Sequence, residues 1–304
     1  MYHVPVMLEE SIEGLDIKPE GVYVDVTFGG GGHSAEILRR MQGGKLIAFD
    51  QDPDSKQNAE QLGDARLQLI ETNFRYLKKY LKLYGHAQVD GILADLGISS
   101  HQIDEGNRGF SIRFDAPLDM RMDKAGDKTA REVVNEFGVE ALTKMFREYG
   151  EVRNAWSLAN GIVSARSQAA IETTGELVRV LERFAPRGKE YKYEAQVFQA
   201  IRIEVNNEMD ALKDLLKDAA EILRPEGRLV VISYHSLEDR LVKHFMKHGN
   251  FEGTPEKDFY GNPIRPLRPI KSKPTMASQE EIKRNNRARS AKLRVAQKCV
   301  AQKI

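Results

Sequence analysis

Residues 22–33 read VYVDVTFGGGGH, and residues 46–52 read LIAFDQD. Each apolar run suits a buried strand, the first run ends in a glycine cluster, and a helical segment separates the two. This order predicts the first strand, ligand-facing turn, helix and second strand of an open α/β sheet. Because glycine lacks a side chain, the turn lets the backbone pass close to a ligand. Asp50, at the carboxyl end of the second strand, can accept hydrogen bonds from two ribose hydroxyls.

The identity of the ligand is left open by this motif. Gly30, Gly32 and Ala35 satisfy the dinucleotide fingerprint in its loose form, which favours a nicotinamide cofactor. S-adenosylmethionine (SAM) is an equal candidate, since it also offers a ribose to a carboxylate at the second strand. A glycine-rich turn without a ligand is the remaining alternative.

The composition predicts a folded, cytoplasmic chain. Its 304 residues fit one large domain or two modest ones, and 41% hydrophobic content can build a core. No apolar stretch approaches the ~20 residues of a membrane helix. The N-terminal sequence lacks a secretory signal, so no membrane association is expected. Cys299 is the single cysteine, which excludes an internal disulfide and fits a reducing compartment.

Charge is distributed unevenly along the chain. Residues 264–304 contain twelve Lys/Arg and two acids, Glu280 and Glu281. Since the whole chain has 46 Lys/Arg and 45 Asp/Glu, residues 1–263 have 34 basic and 43 acidic residues. A tail of charge +10 on a body of charge −9 indicates a polyanionic partner. The alternative is that the tail lies on the acidic body.

Four further apolar runs continue the α/β pattern. Those at 67–71, 89–96 and 228–234 predict the third, fourth and fifth strands. The fourth is nearly all apolar, as expected of a strand buried on both faces. A weak alternation at 291–297 predicts a closing edge strand.

Between the fourth and fifth strands the pattern becomes helical. Two helix starts show capping-box spacing, Thr129 with Glu132 and Thr173 with Glu176. The sequence therefore predicts a Rossmann-like, mostly parallel α/β sheet with an inserted all-helical domain. We predict that the first part of the sheet domain spans residues 1–104 and that the helical insert spans residues 105–194. The second part of the sheet domain, with the basic tail, is predicted to span residues 195–304.

Polar residues follow the predicted strands where an open sheet binds its ligand, at their carboxyl ends. They are Gly29 to His33, Asp50, Asn73 with Phe74, residues 95–100, and His235 with Ser236. In SAM-dependent enzymes the loop after the fourth strand faces the methyl group. Aminomethyltransferases often place a short polar residue there, followed by prolines and an aromatic. Asp95 is present here, but Leu-Gly-Ile-Ser-Ser replaces the prolines and the aromatic.

Two kinds of chemistry are disfavoured. Methylation of a pyrimidine carbon generally needs a cysteine nucleophile. The single cysteine, Cys299, lies near the C-terminus and follows no proline, so a carbon methyltransferase of this type is not expected. Transfer to nitrogen or oxygen needs only in-line positioning and a proton acceptor. His244 and His248 have metal-ligand spacing on a predicted helix, but no third ligand is placed, so no metal is expected. His235 is expected to form a wall of the substrate pocket.

Seven motifs resemble the RsmH (MraW) family of bacterial 16S rRNA methyltransferases over nearly the whole chain. They are HVPVMLEE from His3, DVTFGGGGHS at the glycine turn, ILADLGISSHQID at 92–104, RGFSIRFDAPLDMRMD from Arg108, FQAIRIEVNNE at 198–208, ISYHSLEDRLVK at 232–243 and NNRARSAKLRVA at 285–296. That family methylates the exocyclic N4 of a cytidine in the decoding region of 16S rRNA. The resemblance implies a class I SAM-dependent methyltransferase fold with a helical insert, SAM as cofactor, and the small ribosomal subunit as partner. The oligomeric state stays open, a homodimer included.

The resemblance also assigns residues to SAM, each at a matching position. These are Gly31, Gly32, His33, Asp50, Phe74, Asp95 and Gln102. Asp95 is the candidate catalytic residue, because an acceptor there could hold the cytosine amino group so that its lone pair points at the sulfonium. The alternative is that Asp95 holds the methionine amino group of SAM.

Substrate contacts are expected in the stretch after the fourth strand and in the tail. A flipped cytidine could be stacked on or clamped by Phe110 and Arg113, although Phe110 could instead anchor the insert. Five arginines are expected to contact phosphates: Arg108, Arg121, Arg287, Arg289 and Arg294.

Two other functions compete with RNA methylation. A nicotinamide-dependent oxidoreductase would share the first strand–turn–helix–strand unit but leaves the helical insert and the basic tail unexplained. A noncatalytic RNA-binding assembly factor would share the tail and the insert but would not need an intact SAM turn.

Overall fold

A computed structural model describes residues 5–99, 102–103 and 105–300. The chain divides into two compact units. The sheet unit comprises residues 1–97 and 210–304, and the helical unit comprises residues 98–209. The predicted first boundary, at residue 104, lies outside the described residues.

The helical unit extends beyond the predicted insert of 105–194 at both ends. The physical reason is its apolar core, against which Ile98 packs and in which Val197, Phe198, Ile201 and Val205 are buried. The 17-residue helix that carries the last four begins within the predicted insert and continues past its end, so a boundary inside it would divide one apolar face.

The sheet unit alternates helices and strands through its first part and returns to this pattern after the helical unit. Its helices are α1 (Leu8–Leu15), α2 (Gly32–Arg40), α3 (Ser55–Leu62), α4 (Leu77–Leu83), α10 (Glu208–Ile222, from Asp210 onward), α11 (Ser236–His248) and α12 (Gln279–Arg284). Its strands are β1 (Val22–Asp25), β2 (Lys45–Asp50), β3 (Leu67–Glu71), β4 (Val89–Asp95), β5 (Leu223–Ser233), β6 (Leu267–Pro269), β7 (Thr275–Met276) and β8 (Lys292–Lys298).

The strand order is β3-β2-β1-β4-β5-β8-β6, with β7 also paired to β8. The first five strands are mutually parallel, and β8 is antiparallel to β5, β6 and β7. This is the predicted α/β class with a mostly parallel sheet. The order reverses at β1 and β4, which is where open α/β sheets bind ligands.

The prediction of an edge strand at 291–297 is wrong. Strand β8 lies inside the sheet, because β5 pairs with one of its sides and the short strands β6 and β7 pair with the other. The proline-rich segment before it, residues 253–276 with five prolines, supplies both short strands. Leu293 and Ala296 lie on opposite faces of β8 and are buried in different apolar clusters. Both faces of the strand are therefore covered, which is why the alternation in the sequence is weak.

Tyr23 shows how the sheet accommodates a large residue in a central strand. Its side chain is fully buried, and its hydroxyl accepts the Lys18 N–H at 2.6 Å. On the neighbouring strand, a Cβ at Gly91 would lie 2.8 Å from the Tyr23 ring. Glycine at 91 therefore makes room for the ring, and alanine there would overpack the core.

In the part of the helical unit that the structure describes, five α-helices of seven residues or more surround its own core. They are α5 (Ala130–Glu136), α6 (Val139–Gly150), α7 (Ala155–Arg166), α8 (Thr174–Leu181) and α9 (Glu190–Asn206). Both predicted capping boxes are confirmed. At α8, Glu176 N–H donates to Thr173 Oγ1 at 3.2 Å, and Thr173 N–H donates to the Glu176 carboxylate at 3.2 Å. Within the described residues, no helix has the length and apolar character needed to cross a membrane.

Candidate functional site at the strand ends

Three aspartates end neighbouring strands of the sheet. Asp25 ends β1, Asp50 ends β2 and Asp95 ends β4, and β1 pairs in parallel with both β2 and β4. Parallel strands place their carboxyl ends at one edge, so the three carboxyl groups lie around the turn after β1. Asp50 and Asp95 were expected there, whereas no sequence motif singled out Asp25.

The glycine turn is held against Asp50. Gly29 N–H donates to Asp50 Oδ2 at 2.7 Å, and Asp52 N–H donates to Oδ1 at 2.8 Å. Asn58 Nδ2 donates to the Gly29 carbonyl at 2.9 Å, which holds the turn from its other side. Gly29 and Gly31 have φ of 51° and 75°, a conformation that glycine adopts without a side-chain penalty. The turn is therefore fixed by the same carboxylate that ends β2.

Asp50 keeps the capacity to bind a ligand. Each of its oxygens accepts one backbone N–H, and a carboxylate oxygen has a second acceptor position. Burial raises the pKa of Asp50 to about 6, although the bonds from Asp52 and Gly29 oppose the rise. Asp50 is therefore charged near neutral pH but close to the range in which it takes up a proton.

Asp95 is fixed from three sides. Its N–H donates to Thr27 Oγ1 at 2.7 Å, and Tyr234 Oη donates to Asp95 Oδ1 at 2.7 Å. The other oxygen, Oδ2, lies 3.9 Å from His33 Nδ1. The side chain retains 23% exposure, so it remains accessible to a ligand. Tyr234 thus orients the carboxylate and leaves Oδ2 as its less committed oxygen.

The pKa of Asp95 is raised to about 6. Burial is the largest cause, since it disfavours the charged form. The charge of His33 and the hydrogen bond from Tyr234 oppose the rise, and the carboxyl groups of Asp25 and Glu238 add to it. A carboxyl group with a pKa in this range can exchange a proton at neutral pH.

His33 lies at the start of α2 between two acids. Its Nε2 donates to the Val6 carbonyl at 3.0 Å, so Nδ1 is the nitrogen that faces Asp95. Asp25 is 1% exposed and accepts the Ser34 hydroxyl at 2.7 Å. Burial raises the pKa of Asp25, and the charge of His33 opposes that rise. The predicted His33 position is thus a buried link between the N-terminal segment and the acids of the site.

Strand β5 passes into α11 through Tyr234 and His235. Glu238 N–H donates to His235 Nδ1 at 3.4 Å, and His235 N–H donates to Glu238 Oε2 at 3.2 Å, which forms a capping box. Tyr234 N–H donates to the same Oε2 at 2.8 Å. His235 therefore fixes the start of α11. Its expected contact with substrate stays a prediction.

Phe74 begins a single 3₁₀ turn, Phe74–Tyr76, and packs partly buried against the sheet unit's core. The residue before it, Asn73, donates from Nδ2 to Gln51 Oε1 at 2.8 Å and accepts the Arg75 N–H at 2.9 Å. These bonds tie the end of β3 to the end of β2. Phe74 is thus held near the strand end, as predicted.

Gln102 belongs to the helical unit and is buried. Ser99 N–H donates to Gln102 Oε1 at 3.0 Å, and Gln102 N–H donates to Ser99 Oγ at 3.1 Å. The side chain thus organises its own turn, and its assignment to the methionine end of SAM stays a prediction.

Two of the arginines expected to bind phosphate serve the helical unit instead. Arg108 is buried, and its Nη2 donates to the carbonyls of Arg121 and Met122 at 2.9 and 3.3 Å. Arg121 pairs with both oxygens of Asp119, at 2.9 and 2.7 Å, and also donates to two backbone carbonyls. These bonds hold an irregular segment together, so the structure does not support phosphate contacts by either guanidinium.

Phe110 is also committed to the fold. It is buried in the core of the helical unit, and the Arg108 guanidinium lies 5.8 Å from its ring centre. The expectation that it stacks on a cytidine is therefore not supported, and the alternative that it anchors the insert holds. Arg113, in contrast, is exposed and remains a candidate for clamping the substrate.

The three tail arginines differ in availability. Arg294 Nε donates to Asp239 Oδ1 at 2.7 Å, and the Arg294 side chain is only 10% exposed. Burial alone would raise the pKa of Asp239. The bonds from Arg294 and the charge of Lys292 outweigh burial, so the pKa of Asp239 is lowered. The phosphate contact expected of Arg294 is therefore not supported, because this guanidinium neutralises a partly buried acid. Arg289 is exposed and Arg287 is partly buried.

Asp25, Tyr234 and Glu238 belong to this site although sequence reasoning missed them. Asp25 interrupts the apolar run before the glycine cluster, which is a usable signal for a polar strand end. Glu238 follows His235 at capping-box spacing. The bond from Tyr234 to Asp95 spans 139 positions and has no local signal.

Comparison with known proteins matches nearly the whole chain to one protein family. The model of a family described as the MraW methylase family matches residues 1–299. A protein named ribosomal RNA small subunit methyltransferase H from Cytophaga hutchinsonii is 59% identical over 298 residues, covering 98% of this chain and 100% of the relative. Relatives of the same name from Flavobacterium johnsoniae and Parabacteroides distasonis are 58% and 54% identical. Both alignments cover 98% of this chain, and they cover 98% and 97% of those relatives.

Proposed function

The chain belongs to the MraW methylase family, and from that premise we propose that it methylates the exocyclic N4 of a cytidine in the decoding region of 16S rRNA. The name shared by its relatives, ribosomal RNA small subunit methyltransferase H, supports the substrate class. The proposed methyl donor is SAM, the proposed partner is the small ribosomal subunit, and the proposed compartment is the cytoplasm.

The observation that carries this proposal is the placement of Asp50 and Asp95 around one glycine turn. Asp50 offers two acceptor positions suited to the ribose hydroxyls of SAM. The glycine turn brings its backbone close to SAM, and Asp95 provides negative charge near the sulfonium of SAM. Bound SAM would supply a methyl group on a sulfonium. The residues proposed to hold it are Gly31, Gly32, His33, Asp50, Phe74 and Gln102, and Asp95 is proposed to face the methyl group.

We assign Asp95 the role of proton acceptor for the cytosine amino group. The N4 lone pair is delocalised into the ring, so an acceptor that binds an N4 hydrogen helps to direct this lone pair out of the ring plane. Asp95 Oδ1 is already occupied by Tyr234, so Oδ2 is the oxygen that would bind the amino group. The nitrogen loses one proton when it gains the methyl group, and a carboxylate with a pKa near 6 can take it.

Replacement of Tyr234 by Phe is expected to shift the pH dependence of the reaction. The Tyr234 hydroxyl stabilises ionised Asp95 and so lowers the pKa of Asp95. Loss of a hydrogen bond to a charged group, worth about 1.5–3 kcal/mol, should raise that pKa by roughly one to two pH units. The measurement is kcat/KM against pH. Wild type should lose activity below pH 6, and Tyr234→Phe should lose it from a higher pH.

A matched control is Tyr80→Phe, which removes a hydroxyl from a half-buried tyrosine outside the strand-end site. Its acid limb should coincide with that of wild type. An unchanged acid limb in Tyr234→Phe would show that Asp95 is not the group that limits activity at low pH.

The proposed reaction is tested on small ribosomal subunits from cells that lack this enzyme. The purified chain and labelled SAM are expected to incorporate methyl groups, and nucleoside analysis should find N4-methylcytidine. A different modified nucleoside would refute the N4 assignment. An absence of incorporation into subunits and into free 16S rRNA would refute the methyltransferase proposal.

Thermal unfolding separates the competing functions. A ligand that binds only the folded state stabilises it, so SAM at about 100 times its Kd should raise Tm by roughly 5 °C. NADH should have no effect. A rise with NADH alone would favour the oxidoreductase, and no rise with either would favour a noncatalytic assembly factor.

A further inference from the structure

Residues 256–264 form an ordered hairpin that the strand-end site does not use. Ile264 N–H donates to the Glu256 carbonyl at 2.9 Å, and Asp258 N–H donates to the Asn262 carbonyl at 2.9 Å. Lys257 and Pro263 form an isolated bridge between the two arms. The chain thus holds this segment by its own backbone bonds.

The tip of this hairpin is built by Asp258. Its Oδ1 accepts the N–H groups of Tyr260 and Asn262 at 2.9 and 2.8 Å, and its Oδ2 accepts Asn262 Nδ2 at 3.1 Å. Gly261 has φ of 83°, which suits the reversal. The carboxylate of Asp258 is therefore occupied by bonds inside the turn. The side chains of residues 259 and 260, between Asp258 and Gly261, point outward.

Those two side chains are Phe259 and Tyr260. They are 96% and 86% exposed, more than any other large apolar side chain in the described ranges. Their ring centres are 5.6 Å apart with an interplanar angle of 87°, an edge-to-face pair. A preorganised turn that holds two aromatic rings in water has no stabilising role in the fold, so it suggests a binding surface.

A basic segment follows the aromatic tip. No acid occurs between residues 259 and 279, whereas Arg265, Arg268, Lys271 and Lys273 do. Lys271 and Lys273 are exposed, and neither has an ion pair among the residues that the structure describes. The tip is therefore continuous along the chain with a stretch of unopposed positive charge.

The hairpin lies near the C-terminal end of α11, whereas the strand-end site lies at the N-terminal end of this helix. His235 caps the first turn of α11 at the strand ends, and Arg265 Nη1 donates to the carbonyl of Lys247 near its last turn at 3.2 Å. With a rise of 1.5 Å per residue, the length of α11 is about 20 Å. The hairpin is thus a second surface, separate from the pocket that would receive the cytidine.

We propose that this hairpin binds unpaired nucleotides of the RNA substrate outside the methylated cytidine. Phe259 and Tyr260 stack on bases, and Lys271 and Lys273 contact phosphates. Aromatic faces bind any base, and lysines bind the backbone, so the surface favours single-stranded RNA without reading its sequence. This inference rests on the proposed RNA substrate, and it adds a contact with the RNA away from the reacting nucleotide.

The test is the affinity for a fluorescein-labelled single-stranded RNA of about 16 nucleotides, measured by anisotropy. The double variant Phe259→Ala/Tyr260→Ala should bind at least about 30-fold more weakly than wild type, because each lost stacking contact costs about 1–3 kcal/mol. Phe259→Trp/Tyr260→Trp should restore binding, because it keeps the stacking faces. Tyr84→Ala, at another exposed aromatic of the sheet unit, should leave affinity unchanged.

Salt dependence separates the rings from the lysines. The aromatic variant should keep the slope of log Kd against log salt. Lys271→Ala/Lys273→Ala should reduce that slope by about 0.7 for each lost phosphate contact. With small subunits as substrate, the aromatic and the lysine variants should raise KM, whereas Tyr84→Ala should keep the KM and the kcat of wild type.

Equal RNA affinity of wild type and the aromatic double variant would overturn the inference and leave the proposed function untouched. Weaker association with small subunits but unchanged affinity for RNA would also overturn it, in favour of a ribosomal protein partner. If the wild type transferred no methyl group, the proposed function would fail, while the RNA affinities would still decide the role of the hairpin.

Discussion

Asp95→Asn is expected to lower kcat for methyl transfer by about 1,000-fold, with a change of less than about threefold in the Kd for SAM. Asparagine keeps the shape of the side chain and can still accept the Tyr234 hydroxyl through its carbonyl oxygen. Its amide presents donors where Asp95 Oδ2 stood, so it cannot accept a proton from the cytosine amino group. The measurements are single-turnover methylation of small subunits and calorimetric titration with SAM.

Asp90→Asn is the matched control, because Asp90 is a buried acid near the opposite end of the same strand. It accepts the Val22 N–H at 2.9 Å, so its loss should lower stability but not kcat. If Asp95→Asn abolishes SAM binding as well, Asp95 holds the methionine ammonium, and the proton-acceptor assignment is withdrawn.

Local sequence predicted the positions of Asp50 and Asp95 at the strand ends. Asp50 and Asp95 follow apolar runs directly, and parallel strands bring such ends to one edge whatever the rest of the chain does. The glycine turn after β1 depends only on the backbone conformation of its own residues. For these residues, position along the strand sets position in the fold, and the family motifs add the ligand.

The arginines could not be assigned from local sequence, because their availability depends on distant partners. Arg294 meets Asp239 across 55 positions, and Arg108 reaches the carbonyl of Met122 across an irregular segment. A guanidinium in a basic tail and one in a buried ion pair look the same in sequence. Only the packing of β8 inside the sheet reveals which acid takes Arg294.

The interior position of β8 has the same origin. The alternation at 291–297 indicates a strand, but it does not show whether one edge or both edges are paired. The answer lies in β6 and β7, three and two residues long, which are too short to stand out in a proline-rich segment. Once these strands pair with β8, the basic segment from Arg265 to Lys273, which includes β6 and leads into β7, is fixed to the sheet unit.

Asp50→Ala is expected to raise the Kd for SAM by at least about 100-fold. Two hydrogen bonds from ribose hydroxyls to a charged acceptor, each worth about 1.5–3 kcal/mol, would be lost. The Gly29 and Asp52 N–H groups would also lose their acceptor, so the turn would be less well ordered for binding. Calorimetric titration with SAM measures the affinity, and kcat at saturating SAM should fall much less.

The pH dependence supplies an independent check on Asp50. Its pKa in the fold is about 6, above the ordinary value, so the carboxyl group is protonated as pH falls through 6 and loses acceptor capacity. The Kd of wild type for SAM should therefore rise below pH 6, and that of Asp50→Ala should lack this contribution. Above pH 6 the charged carboxylate costs stability because its pKa is raised, whereas its bonds to Gly29 and Asp52 stabilise the turn. Asp50→Ala removes both opposing effects, so the Tm of the unliganded variant at pH 8 should change little. Asp64→Ala, which breaks the pair with Arg66 before β3, is the control and should leave the Kd unchanged. A variant of Asp50 that binds SAM as tightly as wild type would show that this acid shapes the turn without contacting the ribose.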